Sequence, residues 1–282
     1  MTDADPDQTT FNLRGGDRAH EANPTEENEM SAATETNEMS DLVVRGESGL
    51  ALPMEDLFNE QGSGLEEVGS EDVTIPYLSV VQKMSEVVEK QSSHYKPEAE
   101  PGMFFNTLTE ELYSGEDGLL VVPCYFRAIY TEHAPGKRGK FLSEHPVSTP
   151  LAKQTRRNDD GQDVLPNGNV LIRKNRHYVM LAHEAEPVVL TCKATALKTS
   201  KKWNSLLGGR KMTGPGGKEF TPPIFSSVWR LTTEKNQNDD GVWFTPKVEM
   251  VGDLGDAVLF QKCREFADMV RGGEVREAGE EA

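Results

Sequence analysis

The chain has 282 residues and a formal net charge of −17; 36% of its residues are hydrophobic and three are cysteines. Cys124, Cys192 and Cys263 stand far apart with no CxxC pair, which speaks against a zinc ribbon or a disulfide framework and for three reduced, buried thiols. Met1-Thr2-Asp3-Ala4-Asp5 has none of the basic and apolar character of a secretory signal, and the longest apolar run, Leu119 to Phe126, is far shorter than the roughly 20 residues that span a bilayer; a soluble, cytoplasmic chain with no membrane partner is expected.

The charge is unevenly spread. Residues 1–72 hold 19 acids and three bases, Arg14, Arg18 and Arg45, whereas residues 73–282 hold 28 acids and 27 bases. The first stretch is rich in Glu, Asp, Asn, Thr, Ser and Gly and too poor in apolar surface to offset chain entropy, so a disordered acidic arm is expected over 1–72. Within it, Leu50 to Phe58 is a candidate transient helix or docking motif.

From Val73 the texture becomes apolar segments broken by Gly, Pro and Asn, the pattern of a mainly β domain over 73–273. Leu78, Val81 and Met84 fall on one helical face behind Pro76, which predicts a short helix over Ile75 to Met84. Strands are predicted at Gly102–Leu108, Leu119–Tyr130, Val170–Ala182, Val188–Leu197, Phe225–Thr233 and Val242–Met250, a set that suits a small barrel or sandwich. Alternation in the last of these puts Val242, Phe244, Val248 and Met250 in the core and Trp243, Thr245, Lys247 and Glu249 outside. In the preceding strand Phe225, Trp229 and Leu231 read as the core face, leaving Val228 and Arg230 opposite. The polar run Glu234 to Gly241 between them ends in Asp-Gly and reads as a hairpin loop. A C-terminal helix is predicted from an Asp256 N-cap through Leu259, Cys263, Phe266 and Val270 to a stop at Gly272 and Gly273, followed by a short acidic tail, 274–282.

No catalytic constellation emerges. Gly214-Pro215-Gly216-Gly217-Lys218-Glu219 lacks the Ser or Thr and the upstream glycine of a phosphate loop, the six histidines form no HExxH pair, and no GxSxG or Cys-His signature is present, so neither an enzyme nor a cofactor is supported. What stands out is Lys193 to Lys218, with seven bases (Lys193, Lys198, Lys201, Lys202, Arg210, Lys211 and Lys218) and no acid. Its centre, Lys198 to Leu207, could start a helix capped by Ser200 and carries Trp203. A second basic region, Lys137, Arg138, Lys140, Lys153, Arg156 and Arg157, lies in long loops. Cations combined with indoles such as Trp243 are what sequence-tolerant binders of single strands use, because every base offers a π-face while Lys and Arg track the phosphates. Duplex readers need a recognition helix or a zinc finger, and neither is apparent.

Several segments together resemble bacteriophage proteins assigned as single-stranded DNA-binding proteins: Ile75-Pro76-Tyr77-Leu78, Pro101 to Thr107, Asp163 to Asn169, Lys201-Lys202-Trp203-Asn204-Ser205-Leu206 and Phe225 to Thr233. The resemblance runs over most of residues 73–271. It implies an OB-like Greek-key barrel with a short internal helix at Lys201 to Leu207, coating single-stranded DNA in the host cytoplasm during phage replication, recombination or repair. The expected DNA footprint is Lys198, Lys201, Lys202, Trp203, Arg210, Lys211, Arg230, Trp243 and Lys247. Such proteins typically end in an acidic tail with a terminal aromatic residue that recruits replication or recombination proteins; this chain ends Glu280-Glu281-Ala282, with its main acidic mass at the other end, which puts recruitment through the C-terminus in doubt. The acidic arm invites the hypothesis that it competes with DNA for the basic surface, so that its removal tightens binding at low salt. The alternative is a phage virion or assembly protein with a β-rich domain and an acidic arm. An oligomer is compatible with either.

Overall fold

Pairing of two long strands organises the molecule. The computed structural model describes residues 63–64, 74–136, 139–239 and 241–277, so the expected arm and its Leu50 to Phe58 segment lie outside the described residues apart from Ser63 and Gly64. The strands are β1 (Thr74–Ile75), β2 (Leu78–Val80), β3 (Phe104–Asn106), β4 (Leu112–Tyr113), β5 (Leu119–His133), β6 (Phe141–Pro146), β7 (Arg156–Arg157), β8 (Asp163–Val164), β9 (Val170–Leu181), β10 (Pro187–Lys193), β11 (Met212–Thr213), β12 (Glu219–Phe220), β13 (Ser227–Asn238), β14 (Gly241–Asp253) and β15 (Arg276–Glu277). Among the described residues two α-helices, α1 (Leu197–Gly209) and α2 (Ala257–Gly272), accompany them.

The main sheet is antiparallel in the order β14-β13-β5-β9-β10 and curls into a half-barrel. β5 and β9 pair along nearly their whole length, from Val121↔Leu181 to His133↔Val170. β13 covers only the first residues of β5, and β6 pairs with its last ones. Pro123 has no N–H to give the ladder, and the register slips between Pro123 and Tyr125.

At its centre both faces of this sheet are buried, which is why β9 reads as an unbroken apolar run towards its end. On the concave face Val121, Val179, Leu181, Val188, Leu190, Trp229, Leu231 and Val248 pack with Trp203 and Leu207 of α1. On the convex face Val122, Cys124, Tyr178, Met180 and Val189 pack with Leu259, Cys263, Phe266, Ala267 and Val270 of α2. All three cysteines are buried and free. Each large side chain buried in this way contributes about 1.5–3 kcal/mol. α2 starts and stops where the sequence places it: the Asp256 carboxylate accepts from the N–H groups of Val258 and Leu259, at 2.8 and 3.0 Å, and Gly273 closes the helix at φ 77°.

Five expectations are corrected. Ile75 to Met84 is not a helix. The edge of β10 needs a partner, and the segment supplies it: Val189 N–H donates to Pro76 O at 2.9 Å, and Tyr77 bridges Val189 in parallel. Farther on, Gln82 seals the other edge with its side chain. Its Oε1 accepts from Phe244 N–H and its Nε2 donates to Phe244 O, both at 2.9 Å, so that one amide stands in for a strand. Phe225 sits in a 3₁₀ turn ahead of β13, outside the strand's alternation, and packs with Val228 against the convex core on the side opposite Trp229. The polar run Glu234 to Asn238 is no loop but the end of β13, paired with β14 up to Asn238↔Gly241, and at the far end of β14 Met250 is 41% exposed instead of core.

The fifth correction concerns the C-terminus. Residues 274–277 belong to the fold, since β15 pairs in parallel with β1. The Glu277 carboxylate accepts from Tyr77 Oη at 3.1 Å, from Tyr178 Oη, and from Arg176 Nη1 at 2.6 Å, while Arg176 also meets Glu144 at 2.8 Å. Arg176 is 5% exposed. Removing one partner of a buried pair strands the other charge, so Glu277→Ala is expected to lower unfolding free energy in urea by about 3 kcal/mol, against less than about 0.5 for Glu274→Ala on the exposed side. Equal effects of the two substitutions would mean that the carboxylate is not what closes the fold.

Candidate functional site

The basic segment singled out by the sequence becomes α1, and the structure turns its indole inward. Trp203 is fully buried, stacked on the His177 ring at 4.6 Å between centroids and 22° between planes, and set against Trp229 at 5.9 Å. It is a core residue, with no ring face for a base, and leaves the expected footprint. Ser200 is not the helix cap: α1 begins at Leu197, and the Ser200 hydroxyl is buried, 2.9 Å from Asn175 Nδ2, which donates to it, and 2.7 Å from His177 Nε2. These contacts lay α1 across the concave face over Asn175 and His177 of β9.

The opposite side of α1 is cationic. Lys198, Lys201 and Lys202 are exposed, as are Lys193 before the helix and Lys218 after it, and among the described residues no carboxylate pairs with any of the five. Trp243 is half-buried and donates from Nε1 to Thr195 Oγ1 at 3.1 Å, in the turn that leads into α1, so it stands near Lys198. The other members of the footprint are placed differently. Arg210 is occupied by Ser226, at 2.9 Å, and by an ion pair with Asp253. Lys211 is exposed, its Nζ donating to Thr221 at 2.8 Å. Arg230 and Lys247 are exposed on the face of β13 and β14 opposite Trp229 and Val248, away from α1.

The sheet offers a second cationic area that the strand pairings create. Concave-face residues of β5 and β9 alternate past the edge of α1: Phe126 lies beside His177 at 5.1 Å, and Tyr130 pairs with Arg173, whose guanidinium lies 5.3 Å from the ring centre. Glu132, on the same row, is engaged by Asn169 and by His145, whose hydrogen bonds hold its carboxyl below the usual carboxylate range. Of the loop bases, Lys140, Lys153, Arg156 and Arg157 are exposed, while Lys137 and Arg138 lie outside the described residues. Arg156 and Arg157 line an open cleft of about 740 Å³ with Gln154, Val164 and Leu165. Sequence reasoning found the loop bases but missed Tyr130 and Arg173. Alternation of Phe126, Ala128 and Tyr130 was the only signal for them.

His177 provides a handle on this architecture. Burial depresses its pKa from 6.5 to about 3, so the ring stays neutral between Ser200 and Trp203. The unfolded chain binds the proton between those two values and the native state does not; stability from this group is therefore complete above pH 6.5 and is lost as pH falls towards 3. Denaturant melts are expected to lose up to about 1.4 kcal/mol per pH unit in that window through this one group, and His177→Gln to remove that part of the slope. An identical pH profile in the variant would contradict the assignment.

Comparison with known proteins adds a family. A family model described as "Pam3 phage gp34-like protein" matches residues 45–276. No curated protein and no solved structure matches the chain.

Proposed function

We propose that this chain, which belongs to the Pam3 phage gp34-like family, is a sequence-tolerant single-stranded DNA-binding protein acting in phage DNA replication, recombination or repair. The observation that carries the reading is the exposed lysine face of α1, Lys198, Lys201 and Lys202, without carboxylate partners among the described residues and held against the concave side of a curled sheet. Cations without carboxylate partners favour a polyanion, because each phosphate they neutralise releases condensed counterions. The half-buried Trp243 adds an indole at the edge of that face.

The fold supports the reading by its strand order. The five long strands run β14-β13-β5-β9-β10 with α1 between β10 and β13, an order that suits a five-stranded OB-type Greek-key barrel; in this reading the Tyr77 and Gln82 contacts take the place of the closing strand pair. OB-type barrels bind oligonucleotides on a sheet face and its adjoining loops. With Trp203 removed, the proposed footprint is Lys198, Lys201, Lys202 and Trp243, with Lys211, Arg230 and Lys247 as outlying cations and Arg210 as a structural one. Replication or recombination proteins are the proposed partners of the acidic segments.

The test is fluorescence anisotropy with labelled oligo-dT and a matched duplex at two salt concentrations. Salt-sensitive binding to the single strand is expected, and Lys201→Ala with Lys202→Ala should weaken it for all sequences alike, lowering the log–log salt slope by about 0.7 for each phosphate that is no longer neutralised. Absence of binding at low salt, even after removal of residues 1–72, would overturn the reading and bring the virion or assembly role forward.

A further inference from the structure

Resting on the single-strand reading, we infer that bases stack not on the indole of the basic segment, Trp203, but on a separate platform formed by Tyr130, Arg173 and Phe126 on the concave face beyond α1. α1 covers Asn175 and His177 through Ser200. Arg173 lies two residues beyond Asn175 on the same row of β9, about 7 Å along the strand, where the helix no longer covers the sheet. Tyr130 and Arg173 are register partners, as are Phe126 and His177, so all three side chains stand on one face, and each is half-buried.

The geometry is that of a prepared stacking surface. Arg173 is tethered from two sides: its guanidinium carbon lies 5.3 Å from the Tyr130 ring centre with Nη1 3.5 Å from Tyr130 Oη, and Nε donates to Asn175 Oδ1 at 3.3 Å. Nη2 makes no bond among the described residues, which leaves a donor for a phosphate beside a planar cation and two aromatic rings. Aromatic and guanidinium planes stack on any base, so the platform is sequence-tolerant.

Charge around it points the same way. Residues 134–176 hold nine bases and four acids in a chain of net charge −17. One acid of the four, Glu144, is spent on the buried Arg176, and another, Asp163, on Arg157. Lys140, Lys153, Arg156 and Arg157 stay exposed, and Lys198, Lys201 and Lys202 are exposed on α1, whose Ser200 meets Asn175, the residue that also holds Arg173. A strand crossing the platform would meet the lysines of α1 towards Asn175, while Glu132, two residues beyond Tyr130 on the same row, is occupied by Asn169 and His145.

The platform is distinguishable from the helix face by experiment. With the full chain and labelled oligo-dT, Tyr130→Ala is expected to weaken binding about tenfold while leaving the salt slope unchanged, because no charge is removed; Tyr130→Phe should bind as wild type, and Arg173→Ala should both weaken binding and lower the slope by about 0.7. Photocrosslinking of the unaltered protein to a bromodeoxyuridine oligonucleotide, followed by peptide mapping, needs no variant to fold and should mark the peptides containing Phe126 and Tyr130. If the wild type binds but crosslinks map only to α1 or Trp243, or folded Tyr130→Ala binds within about twofold of wild type, the platform is wrong while the single-strand reading stands. If the wild type binds no oligonucleotide at all, both fall.

Discussion

Everything in this domain depends on the pairing of β5 with β9. These two strands supply most of the length of the sheet, and because the register runs unbroken from Tyr125 to Glu132 and on to His133, every residue there is committed to one face or the other. Tyr178 and Met180 face α2, while Val179, Leu181 and His177 face α1, and all five are buried. A sheet so covered must be apolar on both sides at its centre and is free to be polar only where the helices end. The exposed chemistry of the molecule accordingly lies at the margins of the helices: the outer side of α1, and the outlying halves of β5 and β9 beyond it.

A curled sheet also leaves two edges to be managed, and this chain uses its own N-terminal strands to do so. Pro76 and Tyr77 take the edge of β10, and the Gln82 side chain takes that of β14 by offering Phe244 both an acceptor and a donor. The joint is tight. Thr233 N–H donates to Gly115 O at 2.8 Å, and a Cβ on Gly115 would lie 1.8 Å from Gly102 O, so that only glycine lets the β2–β4 layer meet β13 this closely. Glu277 fastens the same N-terminal strands from the other side, which makes the two ends of the described domain mutually dependent.

Legibility in the sequence followed locality. Asp256, Leu259, Cys263, Phe266, Val270 and Gly273 announce α2 because caps and a helical repeat are local signals. The six predicted strands are present for the same reason, with ends displaced by a few residues. The helix expected over Ile75 to Met84 failed because Leu78 and Val81 have helical spacing by coincidence: both are buried, but hydrogen bonds to β10 and to Met103 outweigh local propensity, and such partners are invisible one segment at a time. The Trp203 expectation erred similarly. Lysines on either side of an indole read as a binding motif, yet on a helix Lys201 and Lys202 point outwards while Trp203, with Ser200 and Leu207, points to the sheet.

The inward turn of Trp203 bears on how a single strand would be held. A buried Trp203 fixes α1 rigidly on His177, so the lysines are carried on a scaffold instead of a mobile loop, and a cationic face held in place gives up less freedom when phosphates arrive. Stacking groups, by contrast, cannot come from the helix once its indole is used in the core. On the platform inference they come from the part of the sheet that the helix leaves uncovered, where cross-strand pairing sets Tyr130 beside Arg173. On the proposed reading, packing thus divides the labour before any ligand is present: the helix would supply charge and the strands planes. Cys192 and His177 are kept from any ligand by the same packing, since both lie beneath α1 in the concave core or its polar margin.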